Sequence, residues 1–183
     1  MRIVSGRWGG RQIKAPRGRS VRPTTDRVRE AWMSAAGPEL PGARVLDLFA
    51  GSGALGLEAL SRGAAEAVFV ERGRDALRAL RDNVRALGAE AEATIVTDDV
   101  FRYLARDPER FDVAFADPPY GTGDAAALVE RFLERPFAGT LWLEHAWRDD
   151  LPLPPDARTR RYGDTALTTL TDHDAIATDD PSP

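Results

Sequence analysis

The sequence predicts an α/β protein with a mostly parallel central sheet and helices on both faces of that sheet. Three observations lead to this prediction. Short apolar runs alternate with segments of helical periodicity over most of the chain, a glycine turn at residues 50–53 joins the first run to a helix, and acidic or Pro-containing motifs follow several of the runs directly. Ligands of such sheets bind beyond the carboxyl ends of the strands, so these motifs mark the expected site.

The predicted elements alternate in a regular order. The strands share short apolar runs bounded by turn residues, and they cover residues 45–49, 67–71, 93–97, 111–116 and 139–143. The helices share apolar side chains at helical spacing, and they cover residues 24–35, 54–60, 75–87, 101–105 and 125–133. Residues 158–162 and 166–170 predict a terminal β-hairpin.

Composition divides the chain into three regions. Residues 1–38 form a basic extension, in which two short strands at 2–5 and 12–14 predict a small β-hairpin that precedes a helix. Residues 39–171 carry the alternating strands and helices and form the main domain. Residues 172–183 are acidic and contain proline, which predicts a disordered tail.

The composition also excludes several classes of function. The chain has 183 residues, enough for one domain with a substantial core, and it contains no cysteine and only two histidines, His145 and His173. Disulfides, thiolate catalysis and thiolate metal sites are therefore excluded, and neither a zinc site nor a Ser-His-Asp triad is expected. No apolar run is long enough to span a membrane and no signal core begins the chain, so we expect a soluble, cytoplasmic protein. We also expect no bound metal.

Basic side chains are concentrated at the N-terminal end. Residues 1–30 carry nine basic and two acidic side chains, whereas the whole chain has a formal net charge of −4. This asymmetry is typical of a basic arm attached to an acidic catalytic body, because guanidinium groups donate paired hydrogen bonds to phosphates. A solvated tail is the alternative. Trp8 is the tryptophan that merits a test as a base contact. The predicted nucleic-acid contacts are Arg7, Arg11, Arg17, Arg19, Arg22, Arg27 and Arg29.

The glycine turn after the first strand is typical of a nucleotide-binding βαβ unit. Gly51, Gly53 and Gly56 match the spacing of dinucleotide sites, and Glu71 follows Gly51 by 20 residues, at the end of the second strand. Asp47, however, lies in the first strand, where its carboxylate would repel a pyrophosphate at the helix N-terminus. A carboxylate there suits a ligand with an ammonium group, such as S-adenosylmethionine (SAM). Glu71 fits either cofactor, since both offer a ribose diol.

A second motif, Asp117-Pro118-Pro119-Tyr120, follows the fourth predicted strand and therefore lies at the same edge of the sheet. Two consecutive prolines make the turn rigid and leave its carbonyl groups free. A carboxylate, a rigid carbonyl and an aromatic ring together can hold a planar base: the exocyclic amine donates to Asp117 and Pro118, and Tyr120 stacks on the ring. Accepting both amine hydrogens directs the nitrogen lone pair towards a methyl donor, and Asp117 can accept the released proton.

The motifs resemble a known family. The segment Val45-Leu-Asp-Leu-Phe-Ala-Gly-Ser-Gly with Asp117-Pro-Pro-Tyr is similar to Rossmann-like class I SAM-dependent amino-methyltransferases. The segments Arg22-Pro-Thr-Thr-Asp-Arg-Val-Arg-Glu and Arg161-Tyr-Gly-Asp-Thr resemble the RsmD family, the bacterial 16S ribosomal RNA guanine(966)-N2 methyltransferases. The resemblance covers residues 1 to about 171. The first pair of segments is shared among many methyltransferases, whereas the second pair is much more specific.

The resemblance implies an enzyme that methylates guanine N2 with SAM, releases S-adenosylhomocysteine and uses no metal. Its substrate would be 16S rRNA in a partly assembled small ribosomal subunit, and the enzyme would be a cytoplasmic monomer without membrane contact. Asp117, Pro118, Pro119 and Tyr120 would grip the guanine. The implied cofactor residues are Asp47, Phe49, Ala50, Gly51, Ser52 and Gly53 for the methionine end, Glu71 for the ribose, and Asp99 with Val100 for the adenine.

The chain departs from the family pattern at two places, and three other functions stay open. Met33-Ser34 stands where the family usually has Phe-Asn, and Asp98 replaces a common glycine. One alternative is a DNA amino-methyltransferase, which normally has a sizeable target-recognition segment that this short chain lacks. Another is an RNA-binding assembly factor without catalysis, although such a protein needs no rigid amine clamp. An NAD-linked oxidoreductase is disfavoured by Asp47 and by the lack of a histidine in the predicted cleft.

Overall fold

The structure, a computed structural model, describes residues 1–15 and 23–173, and the side chains of the second range from residue 28 onward. The described helices are α1 (Pro23–Ala36), α2 (Ala54–Ser61), α3 (Arg74–Leu87), α4 (Val100–Ala105) and α5 (Asp124–Glu134). The described strands are β1 (Arg44–Leu48), β2 (Glu66–Glu71), β3 (Ala93–Thr97), β4 (Phe111–Ala116), β5 (Ala138–Ala146), β6 (Arg158–Tyr162) and β7 (Thr165–Thr171).

The described strands form one sheet in the order β3-β2-β1-β4-β5-β7-β6. The first five of these strands are parallel, and β7 runs antiparallel to both β5 and β6. The predicted α/β class, the mostly parallel sheet and the terminal hairpin are therefore confirmed. The strand order reverses between β1 and β4, and in sheets of this kind ligands bind beyond the carboxyl ends at such a point.

Two apolar clusters cover the two faces of the sheet. Successive side chains of a strand point to opposite faces, and β1 contributes to both clusters: Val45 packs in the cluster with α1, α2 and α3, whereas Leu46 and Leu48 pack with α4 and α5. Helices thus lie on both faces, as predicted. Asp47 has the same parity as Val45, so its side chain points towards α2, which begins directly after the glycine turn.

The N-terminal segment packs on the first cluster. Ile3 and Ile13 are at most 4% exposed and belong to the cluster that contains the α1 and α2 side chains. The backbone pairing is limited to one antiparallel bridge between Arg2 and Gln12, on either side of the 3-10 turn Gly6–Trp8. The hairpin is therefore shorter than the two strands that we predicted.

A buried carboxylate explains the short pairing. The backbone N–H groups of Val4 and Ser5 donate to the two carboxylate oxygens of Glu58 on α2, over 2.7 and 3.0 Å. These donors are consequently not available to a β-ladder. Glu58 is fully buried and also accepts from Nε of Arg62 over 2.9 Å, which balances its charge. The extension is thus fixed to α2 by polar contacts as well as by apolar packing.

Among the described residues, no helix has both the length and the apolar composition needed to cross a membrane. Residues 16–22 and 174–183, which include Arg17, Arg19, Arg22 and most of the predicted tail, lie outside the described residues. The division of the chain at residues 38 and 171 stays a prediction.

Candidate active site

The turn between β1 and α2 has a tightly constrained backbone. Phe49 has a φ of +56° and Gly53 one of +80°, both in the left-handed region. A Cβ atom at Gly53 would lie 2.4 Å from Cδ1 of Leu80, and one at Gly56 would lie 2.4 Å from Cε1 of Phe69. Glycine is therefore required at 53 by both conformation and space, and at 56 by the close packing of α2 on the sheet.

Asp47 lies beneath this turn. Its side chain is 1% exposed, and its Oδ2 accepts a hydrogen bond from the Gly56 N–H over 2.9 Å. Burial raises the pKa of Asp47 well above its ordinary value, the negative charges of Asp117 and Glu71 raise it further, and the hydrogen bond from Gly56 opposes the rise. A nearby cation would favour the ionised form of this buried carboxyl group.

Glu71 connects two loops at the carboxyl edge. Its Oε2 accepts from the Gly51 N–H over 2.8 Å, and its Oε1 accepts from the N–H groups of Arg72 and Gly73 over 2.8 and 2.6 Å. The carboxylate at the end of β2 therefore positions the glycine turn after β1. An ionised carboxylate has about four acceptor sites, so Glu71 retains capacity to accept a hydroxyl donor.

The other predicted cofactor residues also lie at this edge. The Ala50 N–H donates to the Val70 carbonyl over 3.1 Å, and the Ser52 carbonyl accepts from Nδ2 of Asn83 over 3.0 Å. Val100 is buried at the start of α4. These contacts place 50–53 over β2 and α3, next to Glu71.

Asp99 caps the N-terminus of α4. This structural role is additional to the adenine contact that we predict for it. Its Oδ1 accepts from the N–H groups of Phe101 and Arg102 over 3.0 and 3.2 Å, and its Oδ2 pairs with Nη1 of Arg72 over 2.9 Å. Asp98, at which the resemblance implies a glycine, forms ion pairs with Arg102 and Arg106. Both acidic side chains therefore have roles in the fold, and the adenine contact of Asp99 stays a prediction.

The loop Asp117–Tyr120 begins where β4 ends. Asp117 is half-buried, Pro118 is buried, and Pro119 and Tyr120 are exposed. The Pro119 carbonyl accepts from the Thr122 hydroxyl over 2.9 Å, which closes the loop onto the start of α5. The structure therefore holds the four predicted catalytic residues on one short, supported turn.

Glu144 joins this loop to β5, and the sequence prediction missed it. The Tyr120 hydroxyl donates to Oε1 of Glu144 over 2.8 Å and lies 2.9 Å from the Thr165 hydroxyl. Burial, followed by the charge of Asp117, raises the pKa of Glu144 to about 7. Glu144 directly follows the end of a predicted strand, as Asp117 does, and this position is the signal that could have identified it.

The edge of the sheet therefore carries a group of mutually repelling carboxyl groups. Asp47 and Glu144 are at most 8% exposed, and neither forms an ion pair with the described part of the chain. The charge of Asp117 raises the pKa of both. Buried carboxyl groups with raised pKa are stabilised in their ionised form by a bound cation. SAM carries two positive groups, an ammonium and a sulfonium, so the residues present fit that cofactor.

The arginines predicted to bind nucleic acid occupy different environments. Arg7 pairs with Glu92 and its guanidinium lies 4.0 Å from the centre of the Trp8 ring, and Arg11 donates to the Ala86 carbonyl. Arg29 is 6% exposed and donates to the Arg2 carbonyl over 3.1 Å. The structure describes only the backbone of Arg27, which lies in α1. Arg17, Arg19 and Arg22 lie outside the described residues.

Two further residues singled out in the sequence are buried. Trp8 is 8% exposed and belongs to the first apolar cluster, so its ring is used in packing. Met33, at which the resemblance implies a phenylalanine, is fully buried, and the neighbouring Ser34 is exposed. Met33 fills the core position with another large apolar side chain.

Comparison with known proteins places this geometry among methyltransferases. The profile of a family described as Conserved hypothetical protein 95 matches residues 1–170. The Ribosomal RNA small subunit methyltransferase D of Escherichia coli (strain K12) is 42% identical over 123 residues, which are 67% of this chain and 62% of that protein.

Solved structures show the same fold. A putative methyltransferase, yhhF, from Escherichia coli has a TM-score of 0.83 and 34% identity, and the match covers 93% of this chain and 97% of that chain. The T. thermophilus 16S rRNA N2 methyltransferase RsmC, in complex with AdoMet and guanosine, has a TM-score of 0.66 and 25% identity over 86% of this chain and 45% of that chain.

Proposed function

Because the chain belongs to the family described as Conserved hypothetical protein 95, the RsmD family, we propose that it transfers a methyl group from SAM to the exocyclic N2 of a guanine in 16S rRNA. One observation carries this proposal. β1 and β4 are neighbouring parallel strands in which Leu48 pairs with Ala116, so the glycine turn and the Asp117–Tyr120 loop begin side by side. A cofactor held by the first loop and a base held by the second would therefore meet at the same edge.

The first loop and its neighbours would hold the cofactor. Asp47 would face the ammonium group, the backbone of residues 49–53 would surround the methionine end, and Glu71 would accept the ribose hydroxyl groups. Asp99 and Val100 would contact the adenine. When bound, SAM supplies an electrophilic methyl group on a sulfonium. The raised pKa of Asp47 supports this assignment, because a cation beside it offsets the unfavourable burial of its charge.

The second loop would hold the guanine. The carboxylate of Asp117 and the carbonyl of Pro118 would accept the two N2 hydrogens, which turns the nitrogen lone pair outward, and Asp117 would take up the proton that the amine loses. The ring of Tyr120 would stack on the base. The contacts of the Tyr120 hydroxyl, which donates to Glu144 and also hydrogen-bonds with the Thr165 hydroxyl, support this role, because they orient the ring before the substrate arrives.

The N-terminal region would supply the RNA contacts. Residues 1–30 carry a large excess of positive charge, which attracts a phosphate backbone. The name of the E. coli relative supports a small-subunit rRNA substrate, and the RsmC title supports guanine N2 as the acceptor. We place the reaction in the cytoplasm, on a partly assembled small subunit, with a monomeric enzyme.

Labelled methyl transfer tests the proposal. Unmethylated small ribosomal subunits, naked 16S rRNA and duplex DNA receive SAM with a labelled methyl group in parallel, and the modified nucleosides are then identified. We expect N2-methylguanosine from one of the two ribosomal substrates and no label in DNA. Label in DNA would favour the DNA amino-methyltransferase, and SAM binding without transfer to any substrate would favour the assembly factor.

A further inference from the structure

The segment Arg161–Thr165, one of the family-specific motifs, touches both loops that follow β4 and β5. It contains the end of β6, a turn with Gly163 at a φ of +66°, and the start of β7. The backbone carbonyl of Asp164 accepts from the backbone N–H of Trp147 over 2.8 Å. The Thr165 hydroxyl lies 2.9 Å from the Tyr120 hydroxyl. Consecutive residues of one turn therefore connect Trp147 to the ring that we assign to the target base.

Trp147 is the tryptophan that offers its ring to solvent. It is 41% exposed, whereas the other three tryptophans of the chain, Trp8, Trp32 and Trp142, are each at most 9% exposed. Packing accounts for the three buried tryptophans, whereas the exposed surface of Trp147 is available for a stacking contact. Trp147 and Tyr120 are the two exposed aromatic side chains among the large apolar residues described, and both lie at the carboxyl edge of the sheet.

Arg161 lies over one face of the Trp147 ring. Its guanidinium carbon is 4.9 Å from the ring centre, and its Nε donates to the Gly163 carbonyl over 2.7 Å. That hydrogen bond fixes the guanidinium while its terminal amino groups make no hydrogen bond to residues 1–15 or 28–173. The ring is stacked with a cation on one face, and the residue is still 41% exposed.

The exposed charges of residues 147–165 are nearly balanced rather than strongly basic. In this stretch four arginines are exposed (Arg148, Arg158, Arg160 and Arg161), and so are three aspartates (Asp150, Asp156 and Asp164). Long-range attraction alone would therefore not select this surface for RNA. An aromatic ring beside a fixed guanidinium instead matches one nucleotide, whose base stacks on the ring and whose phosphate accepts from the arginine.

We propose that Trp147 and Arg161 form a subsite for a nucleotide adjacent to the target guanine in single-stranded RNA. This inference rests on the proposed function, since it assumes that Tyr120 receives the target base. The adjacent base stacks on the face of Trp147 opposite Arg161, and the Arg161 amino groups bind a phosphate. The motif Arg161–Thr165 then aligns two consecutive nucleotides, one through each aromatic ring.

Tryptophan fluorescence tests the subsite without requiring turnover. The probe is a short single-stranded RNA that contains guanine, and its affinity is measured independently by the anisotropy of a fluorescein-labelled copy. We expect the RNA to quench the emission of the wild-type protein, because a stacked base quenches the exposed Trp147 and cannot reach the three buried tryptophans. Trp147→Phe should retain affinity within about threefold and lose the quench, whereas Trp147→Ala should lose about tenfold in affinity.

Two matched variants control for the loss of apolar surface and of charge. Leu133→Ala removes another exposed apolar side chain, at the far end of α5, and should bind RNA like the wild type. Arg161→Ala should weaken binding more than Arg160→Ala, because Arg160 has the same charge but points to the opposite face of β6. An equal loss in the two arginine variants would mean general charge attraction and would overturn the subsite.

The remaining outcomes separate this inference from the proposed function. Methyl transfer to ribosomal substrate without any RNA-dependent quench would overturn the subsite alone. A quench that disappears in Trp147→Phe, in a protein that transfers no methyl group to rRNA, would support the subsite and contradict the proposed reaction. A quench produced by RNA-free small-subunit proteins but not by RNA would assign the surface to a protein partner and would also overturn the proposal.

Discussion

The hydroxyl group of Tyr120 donates to Oε1 of Glu144 over 2.8 Å, although the two residues are 24 positions apart in the sequence. This bond ties a ring that is 48% exposed to a carboxyl group that is 8% exposed. A second contact, to the Thr165 hydroxyl, fixes the same oxygen from β7. The ring of the candidate base clamp therefore has a defined orientation even though much of its surface is open to solvent.

Replacement of Tyr120 by phenylalanine should lower kcat about tenfold. The ring remains available for stacking, but its orientation is no longer fixed, and misplacement of a substrate lowers the rate of transfer. Affinity for SAM should not change. Steady-state methyl transfer with small subunits measures kcat, isothermal titration measures SAM affinity, and Tyr103→Phe on α4 is the matched control. A Tyr120→Phe enzyme with wild-type kcat would show that the hydroxyl contacts are structural only.

Glu144→Gln should change how the stability of the protein depends on pH. Burial, followed by the charge of Asp117, raises the pKa of Glu144 from an ordinary 4.5 to about 7. Between these values the folded protein holds a proton that the unfolded chain releases, so the free energy of unfolding falls as the pH rises. Glutamine is neutral at every pH and should remove this contribution.

The expected gain from Glu144→Gln at pH 8 is on the order of 3 kcal/mol in the free energy of unfolding. At pH 4 the variant and the wild type should differ little. Urea unfolding across this pH range gives the comparison, with the exposed Glu130→Gln as control. Parallel curves for the Glu144→Gln variant and the wild type would mean that folding does not raise the pKa of this carboxyl group.

The sequence predicts the strands of this fold well where burial is apolar and less well where it is polar. β3 and β4 have their predicted bounds, whereas β5 was expected to end at residue 143 and continues to Ala146. Glu144 and His145 end the apolar run, but both are buried, and Nε2 of His145 lies 2.8 Å from the Thr168 hydroxyl. Their polar atoms are satisfied by β7 and by Tyr120, and such long-range partners cannot be read from local periodicity.

The same limit applies to the candidate site. Asp47, Glu71 and Asp117 were predicted because each lies in or directly after a strand, and parallel strands bring their carboxyl ends together. The environments of the aromatic and basic residues could not be predicted in this way. Trp8 belongs to the basic arm and is buried, whereas Trp147 lies outside that arm and is exposed. Its place in the basic arm made Trp8 the predicted base contact. Because the arm packs on α2, Trp8 is buried, and Trp147 is the exposed tryptophan instead.

Asp117→Asn should reduce methyl transfer by at least about a hundredfold while SAM binding is preserved. Asparagine retains a carbonyl oxygen but cannot accept the proton that the amine loses, and such proton transfer contributes roughly a hundredfold or more. Asp112→Asn is the matched control, since Asp112 lies at the opposite end of β4 and its Oδ2 accepts from the Arg44 N–H over 2.7 Å. Isothermal titration with SAM and single-turnover transfer distinguish the two functions.

The opposite result for Asp117→Asn would reverse its assignment. If the variant transfers methyl groups at the normal rate once SAM is saturating, and only the affinity for SAM falls, Asp117 belongs to the cofactor site. Loss of both functions with a normal Asp112→Asn control would indicate that the whole edge depends on this carboxylate.

Gly56→Ala should destabilise the protein by about 2 kcal/mol, although alanine is the better helix former by about 1 kcal/mol. A Cβ at this position would lie 2.4 Å from Cε1 of Phe69, a rigid and fully buried ring, and 3.1 Å from Oδ2 of Asp47. The substitution should therefore also disturb the Asp47 carboxylate and weaken SAM binding. Gly37→Ala is the control, because no atom lies within 4 Å of its added Cβ.

Urea unfolding and SAM titration measure these effects separately. An unchanged or higher stability of Gly56→Ala would show that α2 can move away from Phe69 without loss. In that case neither the close packing of α2 nor the backbone conformation would require glycine at this position.

Substitution of Arg17, Arg19 and Arg22 by glutamine should weaken RNA binding and reduce its dependence on salt. Each lost phosphate contact lowers the slope of log K against log salt by about 0.7 to 0.9. Deletion of the N-terminal segment is a poorer test, because Ile3 and Ile13 belong to the core and their removal would expose it. Substitution removes the charge and retains the packing.

The control for this variant removes the same charge elsewhere. Arg110, Arg131 and Arg135 lie at or near the start of β4 and the end of α5, which is the edge of the sheet opposite the candidate site. Glutamine at these three positions should leave the salt slope of binding to 16S rRNA close to that of the wild type. If both triple variants reduce the slope equally, the net charge of the protein determines binding. If neither does, the N-terminal arginines do not contact phosphate, and recognition depends on the loops at the carboxyl edge.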